Sequence, residues 1–178
     1  MKKIGIVTDS HSSISQEEAK KLGIFVLPMP FYIDGECYYE SVTLSRELFF
    51  EKLTSGADIS TSQPSPTAVM EIWDKALEEY EKILYMPISS GLSSSYNTAM
   101  MLAQEEKYEG RVLVVDDGQV AAPLHQMILD TLDMIEKGYE AEHIRELLEK
   151  AGDRMMIYIA LQTLEFLKKG GRVTPAAA

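Results

Sequence analysis

Short apolar runs alternate along this chain with stretches whose apolar residues recur every three or four positions. Ile4 to Val7, Ile24 to Leu27, Lys82 to Pro87 and Arg111 to Asp116 read as strands, and Met155 to Ala160 as a fifth. Helical spacing appears between them. Ser15-Gln16-Glu17-Glu18 fits a capping box for a short helix that stops before Gly23. Ser45 to Leu53 predicts a helix with Leu48, Phe49 and Leu53 inward. Ser65-Pro66 is an N-cap followed by proline at the first helical position. The helix it opens carries Val69, Ile72, Trp73, Ala76, Leu77 and Tyr80 on one face. Further helices are predicted around Tyr96 to Ala103, Val120 to Ile135, Ala141 to Ala151 and Leu164 to Lys169.

Strand–helix alternation with near-continuous apolar strands predicts an α/β fold, a mostly parallel sheet with helices on both faces. One segment leaves the pattern. Asp34-Gly35, between aromatic and β-branched residues, predicts a hairpin near 31–39 that decorates a sheet edge. Residues 54–65 lack apolar periodicity and read as a loop. The division expected is an N-terminal α/β domain over 1–153 and the start of a second α/β lobe over 154–178.

The bulk numbers exclude several classes. The chain has 178 residues, 46% apolar and 25% charged, as in soluble globular proteins. No apolar run approaches the roughly 18 residues that suggest a membrane span, so no integral membrane association is expected. The opening Met1-Lys2-Lys3-Ile4-Gly5-Ile6-Val7 reads as a first strand rather than a signal peptide. Cys37 is the only cysteine, which fits a reducing cytoplasm. The net charge of −11 argues against nucleic acid, whose phosphates need a basic face.

Two hydroxyl-rich loops stand out: Thr61-Ser62-Gln63-Pro64-Ser65-Pro66 and Ile88-Ser89-Ser90-Gly91-Leu92-Ser93, each leading into a helix. Ligands of open α/β sheets bind outside the carboxyl ends of the strands, and here those ends carry Thr8-Asp9-Ser10, Ser89 to Ser93 and Asp116-Asp117-Gly118. A helix N-terminus offers unpaired N–H groups, so hydroxyls beside two such ends can make an anion site without a basic side chain. Thr61, Ser62 and Ser93 each have an O–H to donate, and Gly91 lets the backbone approach a ligand. Caps and turn formers with no further role are the plainer reading of the same residues. His11, His125 and His143 lack metal-ligand spacing, and no metal or cofactor is expected. The methionines Met100, Met101, Met127, Met134, Met155 and Met156 suit either core or an adaptable apolar pocket.

Thr8-Asp9-Ser10, Thr61-Ser62-Gln63-Pro64-Ser65, Ile88-Ser89-Ser90-Gly91-Leu92-Ser93 and Leu164-Glu165-Phe166-Leu167-Lys168-Lys169-Gly170-Gly171-Arg172-Val173, in that order, resemble the DegV family. These are bacterial fatty-acid-binding proteins that serve as acyl carriers for fatty acid kinase. The resemblance spans essentially the whole chain. It implies a buried fatty acid whose carboxylate is held by hydroxyls matching Thr61, Ser62 and Ser93, with the tail in an apolar tunnel. The partner kinase phosphorylates the bound carboxylate, so the binding protein itself supplies no catalytic residue. Arg172, in the Gly-Gly-Arg position, would meet phosphate or the kinase, or else stand in solvent at a helix end.

Several segments depart from the family pattern. The first motif continues here as His11-Ser12-Ser13-Ile14 instead of toward Asp-Leu. Ser94-Ser95 replaces a Gly-Thr pair, and a Val-Asp-Ser run becomes Val115-Asp116-Asp117-Gly118-Gln119. Family members continue into a second lobe that completes the tunnel and adds a histidine near the carboxylate; this chain stops soon after Arg172. Two other functions fit the loops: a phosphate- or nucleotide-binding module, which lacks the usual glycine-rich motifs here, and a serine hydrolase using Ser90 or Ser93 without an evident His-Asp pair.

Overall fold

The computed structural model describes residues 2–40 and 42–173. The chain opens with strand β1 (Lys2–Asp9) and helix α1 (Gln16–Leu22). Ser15 caps α1 by accepting from Glu18 N at 3.1 Å. Strand β2 (Phe25–Leu27) follows, then β3 (Pro30–Ile33) and β4 (Glu36–Tyr39). Between the last two, Asp34 and Gly35 take φ of 52° and 85°, the left-handed pair that a tight hairpin requires. Helix α2 (Arg46–Thr54) and strand β5 (Ile59–Thr61) come next. Helix α3 (Pro66–Glu79) starts where Ser65 Oγ accepts from Ala68 N at 3.1 Å. Strand β6 (Tyr80–Met86), helix α4 (Ser95–Leu102), strand β7 (Val112–Val114) and helices α5 (Ala121–Glu136), α6 (Ala141–Gly152) and α7 (Glu165–Lys169) complete the order.

Two compact units share the chain. One is Met1–Pro28 with Gln63–Met155; the other is Met29–Ser62 with Met156–Ala178. The first contains a four-stranded parallel sheet in the order β2-β1-β6-β7. Side chains alternate across its strands. Ile4, Ile6, Leu84, Met86 and Leu113 face α1, α5 and α6, where they meet Ala19, Leu124, Ile128, Ile144 and Leu148. Val7, Ile83, Tyr85, Val112 and Val114 face α3 and α4, where they meet Val69, Trp73, Ala76 and Ala99. Trp73 packs edge-on against Tyr85 and Tyr108 at 5.3 and 5.2 Å. The sheet is therefore covered on both faces, as the apolar pattern predicts.

The second unit contains an antiparallel sheet in the order β4-β3-β5. Phe31 stacks on Tyr38 and meets Phe49 edge-on. Asp34 and Asp58 exchange bonds at 2.9 Å, Asp34 N to the Asp58 carbonyl and Asp58 N to Asp34 Oδ1. Lys169 pairs with Asp58.

Four expectations change. The hairpin does not extend an edge of the main sheet; it pairs with β5 in a sheet of its own. Residues 59–61, expected within a loop, form that third strand, because main-chain bonds to β3 specify it rather than an apolar pattern. Leu48 is 41% exposed, not inward, and α2 buries none of its residues. Met155 to Ala160 is not a strand. An apolar run becomes a strand only beside a partner, and among the described residues it has none. Of the stretch 154–178, Thr174 to Ala178, including the closing alanines, lie outside the described residues. No helix among the described residues is long and apolar enough to cross a membrane.

Candidate functional site

The carboxyl ends of β1, β6 and β7 form one rim of the parallel sheet, and buried side chains tie them together. Thr8 Oγ1 donates to the Met86 carbonyl at 2.7 Å. Asp9, fully buried, accepts from His11 N at 2.9 Å through Oδ1 and from Ile88 N at 2.8 Å through Oδ2. One carboxylate thus joins the end of β1 to the start of the second hydroxyl loop. His11 Nδ1 lies 3.3 Å from the same Oδ1. An Asp-His pair therefore stands on the rim.

The loop itself is closely bonded. Ser89 N donates to the Gln119 carbonyl at 3.0 Å, and Ser90 N to Asp116 Oδ1 at 3.3 Å. Gly91 N donates to Ser89 Oγ at 3.2 Å, while Leu92 N and Ser93 N both reach the Ser89 carbonyl. Every backbone N–H from Ile88 to Ser93 is thereby engaged within the protein. Gly91 does not offer its N–H to a ligand, although it keeps the loop free of a side chain at an exposed point. The remaining donors are hydroxyls and the first-turn amides of α4 after Ser95. Ser93 Oγ accepts from Ser95 N at 3.2 Å, which fixes the oxygen and leaves its O–H to point elsewhere.

The turn after β7 supports this loop from behind. Gly118 N and Ser90 N share Asp116 Oδ1. Asp117 and Gln119 are buried at 1% and 2% exposure. Gln119 N donates to Asp117 Oδ1 and Gln119 Nε2 to the Asp117 carbonyl, both at 2.9 Å. Burial pushes the Asp117 carboxyl up to about 6, with Asp116 and Asp9 adding to the rise and the Gln119 amide opposing it. The sequence marks this turn as rim but gives no sign that its second aspartate is buried.

Thr61 and Ser62 belong to the other unit. Thr61 ends β5 opposite Phe31, and Ser62 N donates to the Pro30 carbonyl at 3.4 Å. Both are exposed. The next residue, Gln63, accepts from Thr98 Oγ1 of α4 at 3.2 Å. Arg172, after α7, is exposed and directs Nη1 to the Gly170 carbonyl at 3.4 Å. His125 lies 3.3 Å from Glu18, and His143 stacks on Tyr139. Among the described residues no group of three or more His, Cys, Asp or Glu could hold a metal. The methionines divide: Met127 is core, whereas Met101 and Met156 are 73% and 75% exposed.

Residues 3–178 match the DegV family, described as an uncharacterised protein family. The chain is 34% identical over 176 residues to a DegV domain-containing protein of Deinococcus radiodurans, covering 98% of this chain and 62% of that protein. A structure solved for fatty acid binding, a DegV family protein from Thermus thermophilus, matches with a TM-score of 0.87 at 33% identity, over 98% of this chain and 62% of that one. A stearic acid-binding protein from Eubacterium ventriosum matches with a TM-score of 0.81 at 25% identity, over 100% of this chain and 62% of that one. This chain spans less than two thirds of each of these relatives. The match over nearly its full extent, on the same fold, shows that the chain belongs to the DegV family.

Proposed function

We propose that this chain binds a long-chain fatty acid, with the carboxylate held by the hydroxyls of Thr61, Ser62 and Ser93 beside Gly91. It presents that carboxylate in the cytoplasm to a fatty acid kinase for acyl-phosphate formation and contributes no catalytic residue. Residues 154–178 begin the second lobe, and Arg172 meets the phosphate or the kinase. The observation that carries this reading is the likeness, over 98% of the chain, to a relative solved for fatty acid binding. Ser93 supports it locally, since its oxygen is fixed by Ser95 N while its O–H remains a donor.

The energetics favour a tail-dominated complex. Each buried methylene contributes about 0.8 kcal/mol, so a long acyl chain gains on the order of 10 kcal/mol before ordering costs. The head group needs orientation more than affinity. Neutral donors hold it while leaving an oxygen accessible to a phosphoryl group, whereas a bidentate arginine would cover it.

Extraction of the denatured protein followed by mass spectrometry tests the reading directly, and a stoichiometric fatty acid is the expected result. Each hydrogen bond to a charged group contributes roughly 1.5–3 kcal/mol, so Thr61→Ala with Ser93→Ala should weaken palmitate binding by about a hundredfold or more. Titration calorimetry that finds the double variant unaltered would count against hydroxyl recognition. Gly91→Ala separates binding from folding. Its Cβ would stand 3.5 Å from Ser89 Oγ, an ordinary contact. The melting temperature should therefore hold while palmitate affinity drops; an equal loss of both would show that Gly91 serves the fold.

The Asp9–His11 pair keeps a second reading open to test, acyl transfer from a serine of the loop. Turnover of a p-nitrophenyl ester that disappears in Ser93→Ala would favour it.

A further inference from the structure

The turn behind the loop contains two buried acceptors that the protein does not satisfy. Asp117 Oδ2 and Gln119 Oε1 have no hydrogen-bond partner, although Asp117 Oδ1 and Gln119 Nε2 beside them each make one bond. Buried polar groups are nearly always paired, because an unpaired acceptor forfeits its hydration. A proton on the carboxyl would turn one of these two acceptors into a donor. The same turn holds the hydroxyl loop at two points, Ser89 N on the Gln119 carbonyl and Ser90 N on Asp116 Oδ1.

We propose that Asp117 is a positioning residue for the hydroxyl loop, acting as the neutral carboxylic acid whose Oδ2–H donates to Gln119 Oε1. Ionisation removes that hydrogen bond, leaves two acceptors facing the interior, and loosens the turn on which Ser89 and Ser90 hang. The consequence for ligand binding rests on the proposed carboxylate site; the device itself does not.

The surroundings favour the neutral form. Asp116 lies on the same turn and Asp9 reaches the group from β1, with His11 beside Asp9. From α6, Gly152 packs against the Asp117 carbonyl, and that helix end also carries Glu149, Asp153 and, one turn back, Arg145. Burial raises the Glu149 carboxyl too, while Arg145 opposes the rise. The first turn of α5 has no acidic residue. Desolvation and two carboxylates therefore outweigh the two backbone amides, of Gln119 and of Asp117 itself, that stabilise the charge.

The sign of the pH dependence follows from linkage. The folded carboxyl sits at about 6, raised from 3.8. Between these values the folded chain binds the proton more tightly than the unfolded one. The stabilising proton is fully present below the unfolded value of 3.8 and is lost as pH rises through about 6, nearly completely by about pH 7. Asparagine at 117 supplies the missing hydrogen permanently, through Nδ2.

The test needs no lipid. Wild type and Asp117→Asn are compared from pH 4.5 to 7 by thermal melting and by amide exchange at Ser89 and Ser90, corrected for intrinsic exchange. Protection in wild type should fall by about tenfold or more across that range, in line with a carboxyl raised from 3.8 to about 6. In Asp117→Asn it should stay level, with the melting-temperature gap between the two proteins widening through pH 6 and levelling off as pH approaches about 7. Parallel profiles for the two proteins would overturn the proposal. Should the variant fail to fold, the ¹³C titration of the wild-type carboxyl decides: a midpoint near 6 shared by the Ser89 amide supports it, and an ordinary carboxylate midpoint overturns it. Loss of fatty acid binding alone would leave these readouts unchanged, so the two proposals fail separately.

Discussion

Asp9→Ala is expected to cost the fold about 3–5 kcal/mol, because it strips a buried anionic acceptor from two backbone donors at once. Ile88 N is buried and has its bond to Oδ2 at 2.8 Å; His11 N relies on Oδ1 at 2.9 Å. Alanine leaves the buried Ile88 N–H without an acceptor and takes the bond from the partly buried His11 N–H as well. Since a domain of this kind has roughly 5–15 kcal/mol in total, much of the margin would go. Asp9→Asn should retain part of the loss-free geometry, having one carbonyl oxygen but an NH2 group facing the second donor. Urea denaturation reads the difference. A cost under about 1 kcal/mol for Asp9→Ala would mean that water replaces the carboxylate without strain, and the rim would not depend on it.

Gly152→Ala should also be strongly destabilising, against the usual helix preference. In an open helix the change would gain about 1 kcal/mol. Here the added Cβ would lie 2.1 Å from the Asp117 carbonyl oxygen and 2.7 Å from its carbon. Those are backbone atoms, which cannot swing aside as a flexible side chain would. Overpacking of this kind costs roughly 1–3 kcal/mol, occasionally more. The end of α6 must retreat or the turn at 116–119 must shift. The second outcome would disturb Ser89 and Ser90, so faster amide exchange there should accompany a lower melting temperature. A neutral or stabilising Gly152→Ala would show that α6 adjusts freely and does not brace the turn.

Much of this architecture was legible where the signal is local. Ser15 and Ser65 each cap the helix they were expected to cap, since a hydroxyl three residues before an amide is a sequence-level fact. Asp34-Gly35 marked its turn for a similar reason. Signals that depend on a distant partner were not legible. Ile59-Ser60-Thr61 looks like loop because β3, not its own composition, makes it a strand. Met155 to Ala160 looks like a strand because composition says nothing about whether a neighbour is present. Leu48 looked inward because a helix face can be apolar without another element lying against it.

The site divides along the same line. Strand order placed Ser89 to Ser93 on the rim, and the structure agrees. Asp117 and Gln119 gave no warning. The contact of Gln119 with Ser89 spans some thirty positions, a distance over which one sequence carries no visible coupling. Their burial comes from α6 closing over the turn, and Gly152 shows only in three dimensions why it is glycine.

The division of the second unit into 29–62 and 156–178 also sets an order of events during synthesis. β3, β4 and β5 leave the ribosome early, while Lys169, the partner of Asp58, is made only after the whole parallel sheet. Central strand β1 likewise waits for β6, its neighbour from Lys2↔Tyr80 to Thr8↔Met86. A nascent chain that has just exposed the hairpin therefore has neither unit complete. For that interval the aromatic cluster of Phe31, Tyr38 and Phe49 belongs to a unit still incomplete.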